Sequence, residues 1–133
     1  MTRLVYSKED LEARAYVKNL MKKNGLKVRE DAMGSIFGRL EGVEKSQKGG
    51  GHVVGSGSHT DAIPLSGKYD GVYGVLGAIE ALGALKRAKL QPRRHLEAVM
   101  FNSEEPSRFG MACSGSRAMG AVLDAEKLET GQA

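Results

Sequence analysis

Tryptophan is absent from this 133-residue chain, aromatic residues reach only 5%, and there is a single cysteine, Cys113. One thiol excludes an intrachain disulfide framework and any multi-cysteine zinc site. No run of about 18 apolar residues exists, so no membrane-spanning helix is encoded. The opening MTRLVYSKEDLEARAYV lacks the apolar core of a secretory signal. What remains is an ordinary globular composition, 41% hydrophobic and 27% charged. That length fits one domain and buries roughly two-thirds of the unfolded surface.

The net charge of +4 raises the question of nucleic acid. Its distribution argues against such a partner. The cations are scattered (Arg14, Lys18, Lys22, then Lys86, Arg87, Arg93) and interleaved with acids, and no aromatic residues alternate with them as stacking platforms.

Ser7 with Asp10 three residues on reads as a helix start, and Leu11, Ala15, Val17, Leu20 and Met21 keep an approximate helical stripe up to Gly25. The spacing predicts a helix over Ser7–Asn24. Leu26–Asp31 and Ser35–Leu40 read as short strands around a turn at Met33 and Gly34. A polar loop is expected over Glu44–Gly51, then a short strand His52–Gly55 ending in a turn, GSGSHTD. Gly71–Arg87 is the clearest helix, with Val72, Val75, Leu76, Ile79, Leu82 and Leu85 on one face. Its glycines, Gly74, Gly77 and Gly83, suggest close packing on a neighbouring strand. Leu96–Phe101 is a hydrophobic strand ending abruptly in NSEEPSR, and the chain reads as helical again from Ser114. Strands alternating with helices predict an α/β fold, a three-layer arrangement with the sheet between helices. Ligands in such sheets collect at strand carboxyl ends, and GSHTD and NSEEP both follow apolar strands.

Those two clusters hold the residues suited to chemistry. His59 and Asp61 can point to one side of an extended turn, where a carboxylate fixes the imidazole's tautomer. Alone, the pair also reads as a solvated turn. Asp70 stands at the start of the strong helix, as an N-cap or as a carboxylate able to bridge two cations. Glu104 and Glu105 are adjacent acids beside the stiffening Pro106. Confined together they offer one ligand and one proton acceptor. Combined, one imidazole and several carboxylates suit zinc, manganese or cobalt without a thiolate. Two such ions about 3.5–4 Å apart are a common hydrolytic device. GSGSH lacks the Lys-Ser/Thr ending of a phosphate loop, and neither it nor CSGSR is a nucleophile elbow. His52 and His95 read as surface residues, and Cys113 as a small buried apolar one.

GSHTDAIPLSGKYDGVYGVLGAIEALGALKR followed by MFNSEEPSRFGMACSGSRAM resembles the amidase branch of metallopeptidase family 20. That branch holds allantoate, N-carbamoyl-amino-acid and ureidoglycolate amidohydrolases. DAIPLSGKYDG with SEEPSRFG is most similar to its plant and algal ureidoglycolate members. The resemblance runs from about Val5 to Met119. It implies a partial zinc-exopeptidase-like catalytic domain and residue roles that go with it. His59 would bind one metal, with Asp61 orienting it. Asp70 would bridge two ions, preceding a cis peptide to Gly71. Glu104 would be the general base, and Glu105 a ligand of the second metal. The implied cofactors are two divalent ions, manganese favoured and zinc or cobalt the alternatives. The implied reaction is hydrolysis of a linear amide or ureido C–N bond, ureidoglycolate favoured and N-carbamoyl amino acids the alternative.

Members of that branch are much longer. They have an inserted dimerisation domain, two further histidine ligands, and asparagine, arginine and histidine groups for the substrate carboxylate. The chain is therefore expected to be an amino-terminal piece of such a catalytic domain over residues 1–133, weakly metal-binding and inactive alone, or an inactive fragment with a structural or interaction role. Its expected partner is a small ureido or amide molecule, with a homodimer formed only through the missing domain. A plant-like compartment would be the endoplasmic reticulum, and otherwise the cytoplasm.

Overall fold

The computed structural model describes residues 1–44 and 52–123. Most of the expected 44–51 loop and the tail from residue 124 lie outside them. Helix α1 (Lys8–Lys23) begins at Ser7, whose Oγ accepts the Asp10 N–H at 3.2 Å. The Asp10 carboxylate turns back to accept the Tyr6 N–H at 2.9 Å, so the helix start satisfies backbone donors in both directions. At the other end Gly25 takes φ +71, the left-handed position that glycine reaches without a Cβ penalty.

Four strands form one sheet: β1 (Lys27–Glu30), β2 (Ile36–Leu40), β3 (Val53–His59) and β4 (His95–Phe101), in the order β1-β2-β4-β3. β1 and β2 pair antiparallel, as do β2 and β4, while β3 runs parallel to β4. The parallel pair is joined by helix α2 (Val72–Arg87), which makes β3-α2-β4 a βαβ unit. The mixed α/β class with one sheet and flanking helices is as the sequence predicts, while the two long helices share one face of the sheet where three layers are expected.

β3 is longer than expected. The GSGSH run is strand, paired from Val53–His95 through His59–Phe101. Small residues read as a turn in isolation, yet here they let backbones approach: a Cβ on Gly57 would fall 1.9 Å from the Val99 carbonyl oxygen. β3 is also an edge strand among the described residues, and Val53–Gly57 is exposed.

Both long helices pack on one face of the sheet. Val17 and Met21 of α1 and Val75, Ala78, Ile79 and Leu82 of α2 meet Ile36, Ala98 and Met100 in one core cluster. The register places Ile36 opposite Met100 and Gly38 opposite Ala98, so these residues share that face. Each fully buried valine, leucine, isoleucine or methionine among them contributes roughly 1.5–3 kcal/mol. The buried stripe of α2 is rotated from the expected one: Leu76 is 37% exposed, while Ala78 and Gly83 are buried. Close approach explains the shift, since small residues allow it. A Cβ on Gly74 would lie 2.7 Å from Ser58 Cβ of β3. Gly83 instead faces Asn24, and Gly77 faces open space, so the expected strand contact holds for Gly74 alone.

The opposite face carries Arg29 stacked over the Phe37 ring at 3.7 Å, with Glu97 accepting from Arg29 and Arg39. Helix α3 (Ser114–Met119) sits beyond the β4 carboxyl end. Among the described residues no helix is long and apolar enough to cross a membrane.

Candidate functional site

β3 and β4 end side by side, and their last paired residues are His59 and Phe101. The segments that follow, Thr60–Asp61 and Asn102–Glu105, therefore leave the sheet as neighbours. The parallel register is what brings the two polar clusters together. His59 and Asp61 are both buried. Imidazole Nδ1 lies 3.0 Å from the Asp61 carbonyl oxygen and 3.7 Å from its Oδ1. Its orienting contact is thus made chiefly by the Asp61 main chain. The Asp61 carboxylate is engaged elsewhere. Its Oδ1 accepts the Glu104 N–H at 3.3 Å, and its Oδ2 the Glu105 N–H at 2.9 Å. One side chain clamps the backbone of both glutamates.

Imidazole Nε2 faces Glu104 Oε2 at 3.5 Å. Glu105 stands close to Glu104, Asp70 and Asp61. Burial, and then the charge of Glu104, push its carboxyl above the usual range, with Asp70 and Asp61 adding to the rise and His59 opposing it. One imidazole and four carboxylates thus share the end of the β3–β4 pair. Their mutual repulsion is what a divalent cation would relieve, and the oxygen and imidazole donors match manganese, zinc or cobalt. No group of three or more His, Cys, Asp or Glu side chains among the described residues is gathered to hold such an ion.

Asp70 does not cap α2. The N-cap is Gly71, at φ +65 and with no side-chain bond, which leaves the exposed Asp70 carboxylate uncommitted to the helix. No peptide bond among the described residues is cis, so the expected cis link from Asp70 to Gly71 is trans here. The left-handed Gly71 makes the sharp bend instead, and a non-proline cis bond costs about 3–4 kcal/mol. A Cβ at Gly71 would fall 2.6 Å from His59 Cε1, Nε2 and carbonyl oxygen, so the glycine also makes room for the imidazole. The Asp-Gly pair is a turn signal that could have located this bend from sequence.

Other positioning residues leave no mark in the sequence. Asn102 is buried and uses its whole amide: Oδ1 accepts from Arg14 at 2.9 Å, and Nδ2 donates to Tyr6 Oη and the Met33 carbonyl, both at 2.7 Å. Arg14, itself buried, ties α1 to the loop bearing Glu104 and also pairs with Glu30. Residues at the chain start brace the other loop, with Arg3 and Ala62 exchanging backbone bonds at 3.2 and 2.7 Å and Arg3 Nη1 reaching the Thr60 carbonyl at 2.8 Å. Contacts between residues so far apart in sequence leave no local pattern to read.

The fold is similar to that of solved hydantoinase/carbamoylase-family amidases. A crystal structure from Burkholderia cenocepacia, described as a putative amidohydrolase/peptidase, superposes with a TM-score of 0.88 at 34% identity, covering 95% of this chain and 30% of that one. In sequence the chain is similar to amidohydrolases. It is 58% identical over 119 residues to a ureidoglycolate hydrolase of Oryza sativa subsp. japonica, covering 90% of this chain and 24% of that protein. The crystal structure of AtUAH in complex with (S)-hydroxyglycine gives a TM-score of 0.80 at 56% identity, over 88% of this chain and 27% of that one. Allantoate amidohydrolases and N-carbamoyl-L-amino-acid amidohydrolases are also homologues. The chain spans about a quarter of the length of the plant relatives it matches. No family model matches it.

Proposed function

We propose that residues 1–133 supply the amino-terminal part of a dinuclear-metal amidohydrolase centre that cleaves a linear ureido or amide C–N bond, with ureidoglycolate the favoured substrate. The carrying observation is the pairing of Glu104 Oε2 with His59 Nε2 while Asp61 clamps the amides of both glutamates. The names of the plant relatives support the choice of substrate.

His59, Asp70 and Glu105 would hold divalent ions, manganese before zinc or cobalt, because the donors are oxygen and imidazole without thiolate. Bound there, such ions would polarise the scissile carbonyl and lower the pKa of an attacking water. Glu104, with Oε2 turned to the His59 side of the site, would accept a proton from the attacking water and hand it to the departing nitrogen. Asp61 keeps Glu104 and Glu105 at fixed separation by holding their main chain, and its carbonyl sets the His59 ring. These groups hold fixed positions before substrate arrives.

A second reading is a homologue that folds without turning over. One assay separates the two. Ammonia release from ureidoglycolate is measured with manganese, for this chain alone and for the chain joined to the remaining segment of the rice relative. The first reading expects manganese-dependent turnover only in the joined protein. Turnover near 1 per second by the chain alone would overturn the incomplete-centre reading. Silence in the joined protein, folded and metal-loaded, would overturn the hydrolase reading. N-carbamoyl amino acids in parallel test substrate choice.

A further inference from the structure

Every polar atom of Glu104 that could swing the side chain has a partner, and Cys113 supplies two of them. Its backbone N–H donates to the Glu104 carbonyl at 2.8 Å, and its thiol lies 3.4 Å from Oε1. The Glu104 N–H is held by Asp61, and Oε2 is the oxygen turned to His59. Cys113 reaches this place at φ +59, a left-handed conformation uncommon outside glycine. It is held there by a ladder in which Ser114 N–H donates to the Ser103 carbonyl at 2.9 Å and Gly115 N–H to the Asn102 carbonyl at 3.0 Å. The first amides of α3, orphans in any helix, are thus committed to the loop that presents the glutamates. Gly115 permits the approach, since a Cβ there would lie 2.8 Å from the Asn102 carbonyl oxygen.

We propose that Cys113 is the positioning residue of Glu104: its thiol donates to Oε1 and its amide fixes the carbonyl, so that Oε2 alone is presented for proton transfer. Its part in a reaction rests on the reading of Glu104 as the base. The arrangement departs from the small buried apolar residue expected from sequence. Burial, followed by the hydrogen bond to and charge of Glu104, holds the thiol above its usual pKa. The contact has two effects. The thiol stays protonated and able to donate, and its reactivity reports on the carboxylate.

The test uses this chain without metal or substrate, so its failure is distinct from failure of the hydrolase reading. Cys113 is the only thiol, and its alkylation by iodoacetamide is followed against pH. Glu104→Gln is expected to raise the rate at pH 7.5 roughly threefold or more, because thiolate is the reacting form. Glu105→Gln is expected to leave the profile unchanged. Coincident profiles for Glu104→Gln and the parent overturn the proposal, as does an equal rise in Glu105→Gln. A second readout is the carboxylate carbon resonance of Glu104 in glutamate-labelled protein, assigned through Glu104→Gln. Cys113→Ala should shift it and Cys113→Ser, which keeps a donor, should return it most of the way. An unmoved resonance in Cys113→Ala overturns the proposal.

Discussion

The Asp61 carboxylate accepts the main-chain amides of Glu104 and Glu105 at 3.3 and 2.9 Å, joining the end of β3 to the segment after β4. Asp61 is 3% exposed, so these charge-assisted bonds form away from water. Asp61→Asn keeps the shape but turns an NH2 toward one of two N–H donors. A stability loss of about 1–3 kcal/mol is expected, read from urea midpoints. An unchanged midpoint would contradict the clamp.

Glu104 and Glu105 should separate by what each variant loses. In the chain joined to the rice segment, Glu104→Gln is expected to keep its manganese and lose turnover by roughly two to four orders of magnitude, the usual worth of a positioned base. Glu105→Gln should lose manganese, measured by plasma emission, and recover part of its activity in excess metal. The opposite pattern would reverse the two assignments.

Gly71 should tolerate no side chain. Gly71→Ala places a methyl 2.6 Å from the His59 ring and carbonyl at φ +65. The left-handed backbone costs roughly 1–2 kcal/mol before any clash. A total loss of about 2 kcal/mol or more is expected in urea unfolding, together with a shifted His59 ring resonance.

Asp10 and Glu30 should push the pH dependence of stability in opposite directions. Burial raises the Asp10 carboxyl above its ordinary 3.8. Its contribution is present below that value and is lost as pH rises through the folded pKa. Asp10→Asn should therefore remove a decline that sets in above pH 3.8 as the folded carboxyl ionises. Bonds from Lys18 and Arg14 lower Glu30 below its ordinary 4.5. That contribution is present above 4.5 and is lost as pH falls through the folded pKa. Glu30→Gln should flatten the acid limb of a urea-midpoint profile. Identical profiles for parent and variants would contradict both.

Periodicity and capping made the helices legible: Ser7 and Gly25 bracket α1, and Val75, Ile79 and Leu82 mark the buried side of α2. The strand ending in His59 was half legible, because glycine and serine are turn residues unless a partner strand needs their small size, as β4 does at Gly57. His59, Asp61, Glu104 and Glu105 could be picked out because two apolar strands end in them, and parallel pairing does bring them together. Asp61's hold on the glutamate amides was not legible, nor were Asn102, Arg14 and Cys113. Each acts through contacts made only after the sheet has closed, such as the 88-residue separation between Arg14 and Asn102.

Among the described residues the strand ending in His59 has a neighbour on one side, while the strand leading to Glu104 has neighbours on both. Local opening is therefore cheaper on the histidine side. Amide hydrogens of β3 should exchange with solvent well before those of β4, alternating along the strand as each points outward or toward its neighbour. The imidazole rides on the element that breathes, and Glu104 and Glu105 follow the one that does not. Asp61 fastens the two, so exchange at His59 measures how firmly that fastening holds.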